Sequence, residues 1–121
     1  MSEISIRPAT PDDLGIIIDF SARLAAESEG LDLDREVLAA GIGSALEDSS
    51  KAQYFLAETA GEGAAAEVAG QLMITYEWSD WRNGMFIWIQ SVYVRAEKRR
   101  KGVFRALYNH VIELSSSPGY C

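Results

Sequence analysis

From Met85 to Val94 the chain reads MFIWIQSVYV, and eight of these ten side chains are apolar or aromatic. A strand that is apolar on both faces belongs in the middle of a sheet covered on two sides, so the rest of the chain must supply helices for both. The segment that follows is opposite in character. Positions 95–105 hold six of the chain's 11 Lys and Arg residues and a single acid, Glu97. That segment carries +5, and because the whole chain is −7 the remainder carries −12. Apolar residues at helical spacing resume with Val103, Phe104, Leu107, Val111 and Leu114, and the helix fades at Ser115–Ser117.

Upstream, the pattern gives the partners such a strand needs. Ile4 and Ile6 alternate with polar neighbours in a short strand from Glu3 to Pro8. Thr10-Pro11-Asp12-Asp13 reads as a helix start, with a capping residue, a proline suited to the first turn and two acids facing the positive end of the dipole. Leu14, Ile17, Ile18, Leu24 and Ala25 form one face of that helix, and Gly30 stops it. A second helix starts at Asp34, with Leu33 and Leu38 spaced as a hydrophobic staple, and Gly41 and Gly43 weaken it. Strands follow at Gln53–Glu58 and Val68–Trp78, joined by a Gly/Ala-rich hairpin loop at Thr59–Glu67. Asn83-Gly84 marks the next hairpin turn, which leads into the apolar run.

The order is β-α-α-β-β-β-α, a mixed α/β fold with a mostly antiparallel sheet, and 121 residues suffice for one domain. A strand followed by a helix normally returns to a parallel strand. Here the expectation is that the returning strand is missing, because the sequence runs out at Pro118-Gly119-Tyr120-Cys121. The chain is then a truncated piece, or another chain supplies the neighbour, or the apolar strand is left as an edge. An unpaired apolar edge predicts self-association, with a homodimer as the simplest form.

Several classes are disfavoured. No apolar run approaches the length of a membrane span, and the N-terminus has no basic-then-apolar leader. The lone Cys121 cannot form an internal disulfide, which fits a cytoplasmic protein. No His/Cys cluster has metal-ligand spacing, so no metal is expected. A compact cationic spot on an acidic body suits a small anion rather than nucleic acid.

The basic loop has the parts of an anion cradle. A helix start offers unpaired N–H groups and a partial positive charge. Gly102 allows either close approach of the backbone to a ligand or a positive φ, and Arg and Lys flank it. Arg99-x-x-Gly102-x-Phe104 resembles the Q/R-x-x-G-x-G/A signature of the GCN5-related N-acetyltransferase superfamily, and it lies between an apolar strand and a helix as that signature requires. The resemblance extends over the whole chain, from Ile6-Arg7-Pro8-Ala9-Thr10 onward, and implies one partial acetyltransferase domain over residues 1–121. From Tyr76 to Tyr108 the chain looks most like the diamine-acetyltransferase-like branch.

What the resemblance implies is an acetyl-CoA-dependent N-acetyltransferase acting on a primary amine of a small molecule. The amides of Arg100, Lys101, Gly102, Val103, Phe104 and Arg105, with Arg99 close by, would hold the coenzyme's pyrophosphate. The backbone at Val92, Tyr93 and Val94 would pair with its pantetheine arm, and an N–H there would polarise the thioester carbonyl. Phe104 departs from the Gly or Ala of the signature, and its side chain must stay clear of the coenzyme. Gln90 stands where several relatives carry a basic glutamate, and it cannot accept a proton at neutral pH. The tyrosine that relatives use as general acid lies beyond the signature helix, so catalytic residues are unassigned; a non-catalytic, coenzyme-binding remnant is the alternative.

Glu27, Glu29 and Asp80 could attract a cationic amine, and Trp81 could line its cleft. Trp78 and Trp88 could line it too, but aromatic residues of strands, these three included, are usually core or hairpin packing. His110, well along the last helix, reads as packing at the surface or an edge.

Overall fold

A computed structural model describes residues 3–60 and 66–121. Four strands, β1 (Glu3–Pro8), β2 (Gln53–Ala60), β3 (Glu67–Ser79) and β4 (Gly84–Val94), form one antiparallel sheet in the order β1-β2-β3-β4. Helices α1 (Leu14–Glu29) and α2 (Arg35–Glu47) precede β2, and α3 (Val103–Ser115) follows β4. Both middle strands run a residue or more past the boundaries expected from the sequence. Most of the Gly/Ala-rich loop expected at 59–67 lies outside the described residues; Thr59 and Glu67 are themselves paired in β2 and β3.

Each face of the sheet has its own core. Phe55, Ala57, Leu72 and Ile74 pack with Val103, Leu107 and Val111 of α3. Tyr54 and Leu56 point the other way, onto Ile17 of α1 and Ile42 and Ala45 of α2. The period-2 alternation of β2 thus feeds two helical layers. A polar clasp orients the start of α1: Arg7 on β1 donates to both oxygens of Asp13 at 2.8 and 2.9 Å and to Glu58 on β2 at 3.0 Å. Asp13 also accepts the Thr10 N–H at 2.8 Å, and its carboxyl is held below the usual range chiefly by Arg7. The helix starts as a short 3-10 turn at Pro11–Asp13 and stops at Gly30, whose φ is +65°.

The apolar run, expected in the middle of the sheet, stands at one edge of the four described strands, and its two faces have different fates. Ile87 and Ile89 pack into the α3 core. Trp88, on the opposite face, is 54% exposed; Trp78, which pairs with Met85 on the face of Ile87, is 57% exposed, and Trp81 of the turn is 96% exposed. These tryptophans are therefore not core, although Trp88 Nε1 donates to Glu77 at 2.8 Å. The returning segment is also present in outline. After α3 the chain lays Tyr120 in a parallel bridge against Met85, with Met85 N–H on the Gly119 carbonyl at 2.8 Å and Cys121 N–H on the Met85 carbonyl at 3.0 Å. His110 packs its ring on Phe55, with centroids 4.8 Å apart.

The alternation of β4 slips once. Met73 pairs with Gln90 and Gln71 with Tyr93, so Ser91 and Val92 together oppose Leu72. Ser91 is the inserted residue of this bulge, at φ +52°. Before it, odd-numbered residues face α3; after it Val92 and Val94 do, and Tyr93 turns to α1, 5.2 Å from the Phe20 ring. Gln71, fully buried on β3, secures the bulge by donating to the Ser91 carbonyl at 3.1 Å and to Ser21 Oγ of α1 at 3.2 Å.

Gly70 allows the closest approach between β3, β4 and α3. A Cβ there would lie 2.8 Å from the Tyr93 carbonyl oxygen and 3.1 Å from a Val103 methyl. Gly70→Ala should therefore cost about 1–3 kcal/mol in chemical denaturation. Gly41→Ala, at a helical position with open space around it, should be stabilising by about 0.5–1 kcal/mol.

Candidate active site

The loop between β4 and α3 makes a 3-10 turn at Ala96–Lys98 and then twists through two left-handed residues, Arg100 at φ +65° and Gly102 at φ +88°. A Cβ on Gly102 would meet nothing closer than Ile4 Cδ1 at 3.9 Å. Glycine is needed here for its φ, and the space in front of it is open. Gly102 is the N-cap of α3 and offers no side chain, so no side-chain hydrogen bond caps the first turn. Val103 is buried against the sheet while its neighbours Phe104 and Arg105 are exposed. The first amides of a 13-residue helix thus face outward with their dipole uncompensated.

The six basic residues divide into two groups. Arg95 donates to the Val68 carbonyl at 2.7 Å and lies over the Phe20 ring, and Lys98 pairs with Glu67 at 3.1 Å. Arg99 donates to the Val94 carbonyl and to Glu27, both at 2.8 Å. Among the described residues Arg100, Lys101 and Arg105 have no ion-pair partner, and all three are exposed around the uncapped turn. Three cations hold the loop and three are available to a ligand.

Glu27 is the fastener. Its second oxygen accepts the Tyr93 hydroxyl at 2.7 Å, so one carboxylate ties α1 to β4 and to the loop. The Arg99 and Tyr93 hydrogen bonds hold its carboxyl below the usual glutamate range, while burial and then Glu27 push the Tyr93 phenol up. With both oxygens engaged, Glu27 is placed to position the loop.

Three hollows adjoin along this edge. One of about 270 Å³ lies at the helix start, lined by Arg100, Gly102, Phe104 and Arg105. It shares Val94, Arg99 and Phe104 with a second of about 370 Å³ that follows Val92–Val94. The second shares Leu24 and Ser28 with a third of about 430 Å³ between α1, α2 and the Ser91 bulge, which Glu29 also lines. Phe104, 49% exposed, stands in the wall shared by the first two and lies beside Tyr108 on the outer side of α3.

Of the other sequence candidates, Gln90 directly precedes Ser91 on β4, and the remaining two lie apart from this edge. Gln90 is exposed and donates to Thr75 Oγ1 at 2.8 Å. Asp80 and Trp81 sit in the β3–β4 turn, at the end of β4 remote from Val94 and so roughly 30 Å away along the strand. Gln71 and Ser91 went unnoticed in the sequence. Their signal is the phase change from Ile87 and Ile89 to Val92 and Val94, concealed by a run apolar throughout.

The comparisons agree with this architecture. A model of the Acetyltransferase (GNAT) family matches residues 19–120. The chain is 44% identical to a possible acetyltransferase from Clostridium difficile 630, with a TM-score of 0.89 over 98% of this chain and 75% of that one. A predicted acetyltransferase with acetyl-CoA from Clostridium acetobutylicum shares the fold at 13% identity, with a TM-score of 0.75 over 98% and 77% of the two chains. So does a GCN5-related N-acetyltransferase from Ralstonia eutropha JMP134, at 21% identity and a TM-score of 0.66 over 98% and 79%. No curated protein matches the chain. The chain belongs to the GNAT family of N-acetyltransferases, enzymes that use acetyl-CoA.

The Glu27 fastening has a definite pH dependence. Its folded pKa is lowered, so its contribution is fully present above the ordinary glutamate value of about 4.3 and is lost as pH falls through the lower folded value. Melting temperatures of the wild type and Glu27→Gln should differ at neutral pH and converge in acid.

Proposed function

We propose that this chain transfers the acetyl group of acetyl-CoA to the primary amine of a small molecule, with the coenzyme's phosphates at the start of α3. The observation that carries this reading is the uncapped first turn of α3 beside three cations without an ion-pair partner among the described residues, adjoining a groove along Val92–Val94. The residues fit the coenzyme. Amides of Gly102, Val103, Phe104 and Arg105 supply donors for a pyrophosphate, and Arg100, Lys101 and Arg105 supply charge. The backbone of Val92–Val94 lines the groove where an extended pantetheine arm would lie.

Acetyl-CoA supplies an activated acyl group on a thiol leaving group. The chain's own part is to hold donor and amine together and to exclude water from the junction beside Ser91. A backbone N–H near Val92 would stabilise charge on an acyl oxygen lying there. Gln90 cannot serve as a base, so the amine would enter neutral or lose its proton to water or a carboxylate.

Acetyl-CoA at millimolar concentration should raise the melting temperature, and Arg100→Ala/Lys101→Ala should weaken its binding several-fold in low salt with little effect on the fold. Thiol release with a panel of amines should report turnover. No thermal shift with acetyl-CoA would refute the reading.

A further inference from the structure

The third hollow narrows the acceptor, on the reading that acetyl-CoA occupies the other two. Its wall is mainly aliphatic: Leu24 from α1, Leu31 and Leu33 from the connecting segment and Leu38 from α2. Tyr54 and Ser91 form part of the same wall. Tyr54 is 7% exposed, and among the described residues its hydroxyl makes no hydrogen bond. The volume of about 430 Å³ falls within the roughly 300–1,000 Å³ of small-molecule sites. Ser91 directly precedes Val92, so the Ser91 end abuts the groove where the acyl group would lie.

Charge in this hollow is sparse. Glu29, exposed, is its single carboxylate, and the nearby Glu27 is committed to Tyr93 and Arg99. A polyamine repeats a cation every few methylenes, and beyond Glu29 the hollow offers further ammoniums only the neutral hydroxyls of Ser21, Ser28, Ser91 and Tyr54, with no second carboxylate to pair them. An amine with one cationic end and an apolar body matches one carboxylate and four leucines.

We infer that the hollow between α1, α2 and the Ser91 bulge selects a monoamine with an alkyl or aryl body. The nitrogen lies at the Ser91 end, the body lies against Leu24, Leu31, Leu33 and Leu38, and Glu29 attracts the protonated amine from solvent. Because Leu31 is 50% exposed, Leu31→Asn can remove apolar wall without disturbing a core.

The test compares 2-phenylethylamine, hexylamine and spermidine as acceptors by thiol release, and measures their binding to the chain saturated with coenzyme A by calorimetry. The two monoamines should exceed spermidine in kcat/KM and in affinity by roughly tenfold or more. Leu31→Asn and Leu33→Asn should lower kcat/KM for 2-phenylethylamine several-fold, mainly through KM, with the acetyl-CoA thermal shift unchanged. Spermidine bound or acetylated as well as the monoamines, leucine variants without effect, or no binding of either monoamine would each overturn the inference while an intact acetyl-CoA shift leaves the coenzyme reading standing. Loss of the acetyl-CoA shift in the wild type would overturn both.

Discussion

The directions in which Val92, Tyr93 and Val94 point rest on a bulge that one buried amide secures. Gln71 is enclosed in the sheet, and its nitrogen donates to the carbonyl of the residue that makes β4 slip by one position. Without that insertion Val92 and Val94 would continue on the face of Trp88 and Gln90, and Tyr93 would turn into the α3 core. With it, Tyr93 reaches Glu27 on α1 while Val94 offers its carbonyl to Arg99. The second donor bond of Gln71, to Ser21, ties the same point to α1. Its carbonyl oxygen is buried without a partner among the described residues.

The loop is built so that binding charge and structural charge do not compete. Arg95, Lys98 and Arg99 discharge onto carbonyls and acids of the body, leaving the loop held in a left-handed twist. Arg100, Lys101 and Arg105 then project from a scaffold already fixed, in front of helix amides that no side chain among the described residues caps. An acidic body surrounding this spot limits attraction of long polyanions while leaving short-range contact with a small anion intact.

Much of this was legible in the order of residues. Helix starts at Thr10 and Asp34, the stop at Gly30 and the order of elements follow from local chemistry that tertiary packing did not override. The loop was legible because strand, basic run, glycine and helix occur in an order with one physical use. What stayed hidden depended on what lies beside a strand. An apolar strand reads as a central one, because sequence alone cannot say that Ile87 and Ile89 meet a helix while Trp88 meets solvent. A glycine inside a strand, at position 70, gives no sign that the Tyr93 carbonyl and the Val103 side chain crowd it. The division of Arg and Lys into holders and binders depends on which acids fold nearby, and Glu27 and Glu67 are distant in sequence.

The parallel bridge at Met85 gives α3 a second anchorage. The helix leaves β4 just after Val94, and the chain beyond it returns to Met85 at the opposite end of the same strand. Helix and strand therefore form a closed frame, like a bow strung at both tips. Lifting the whole helix from the sheet would have to break these two backbone hydrogen bonds at the far corner as well as the packing of Val103, Leu107 and Val111, so three residues at the other end of the frame help to keep the anion cradle in place.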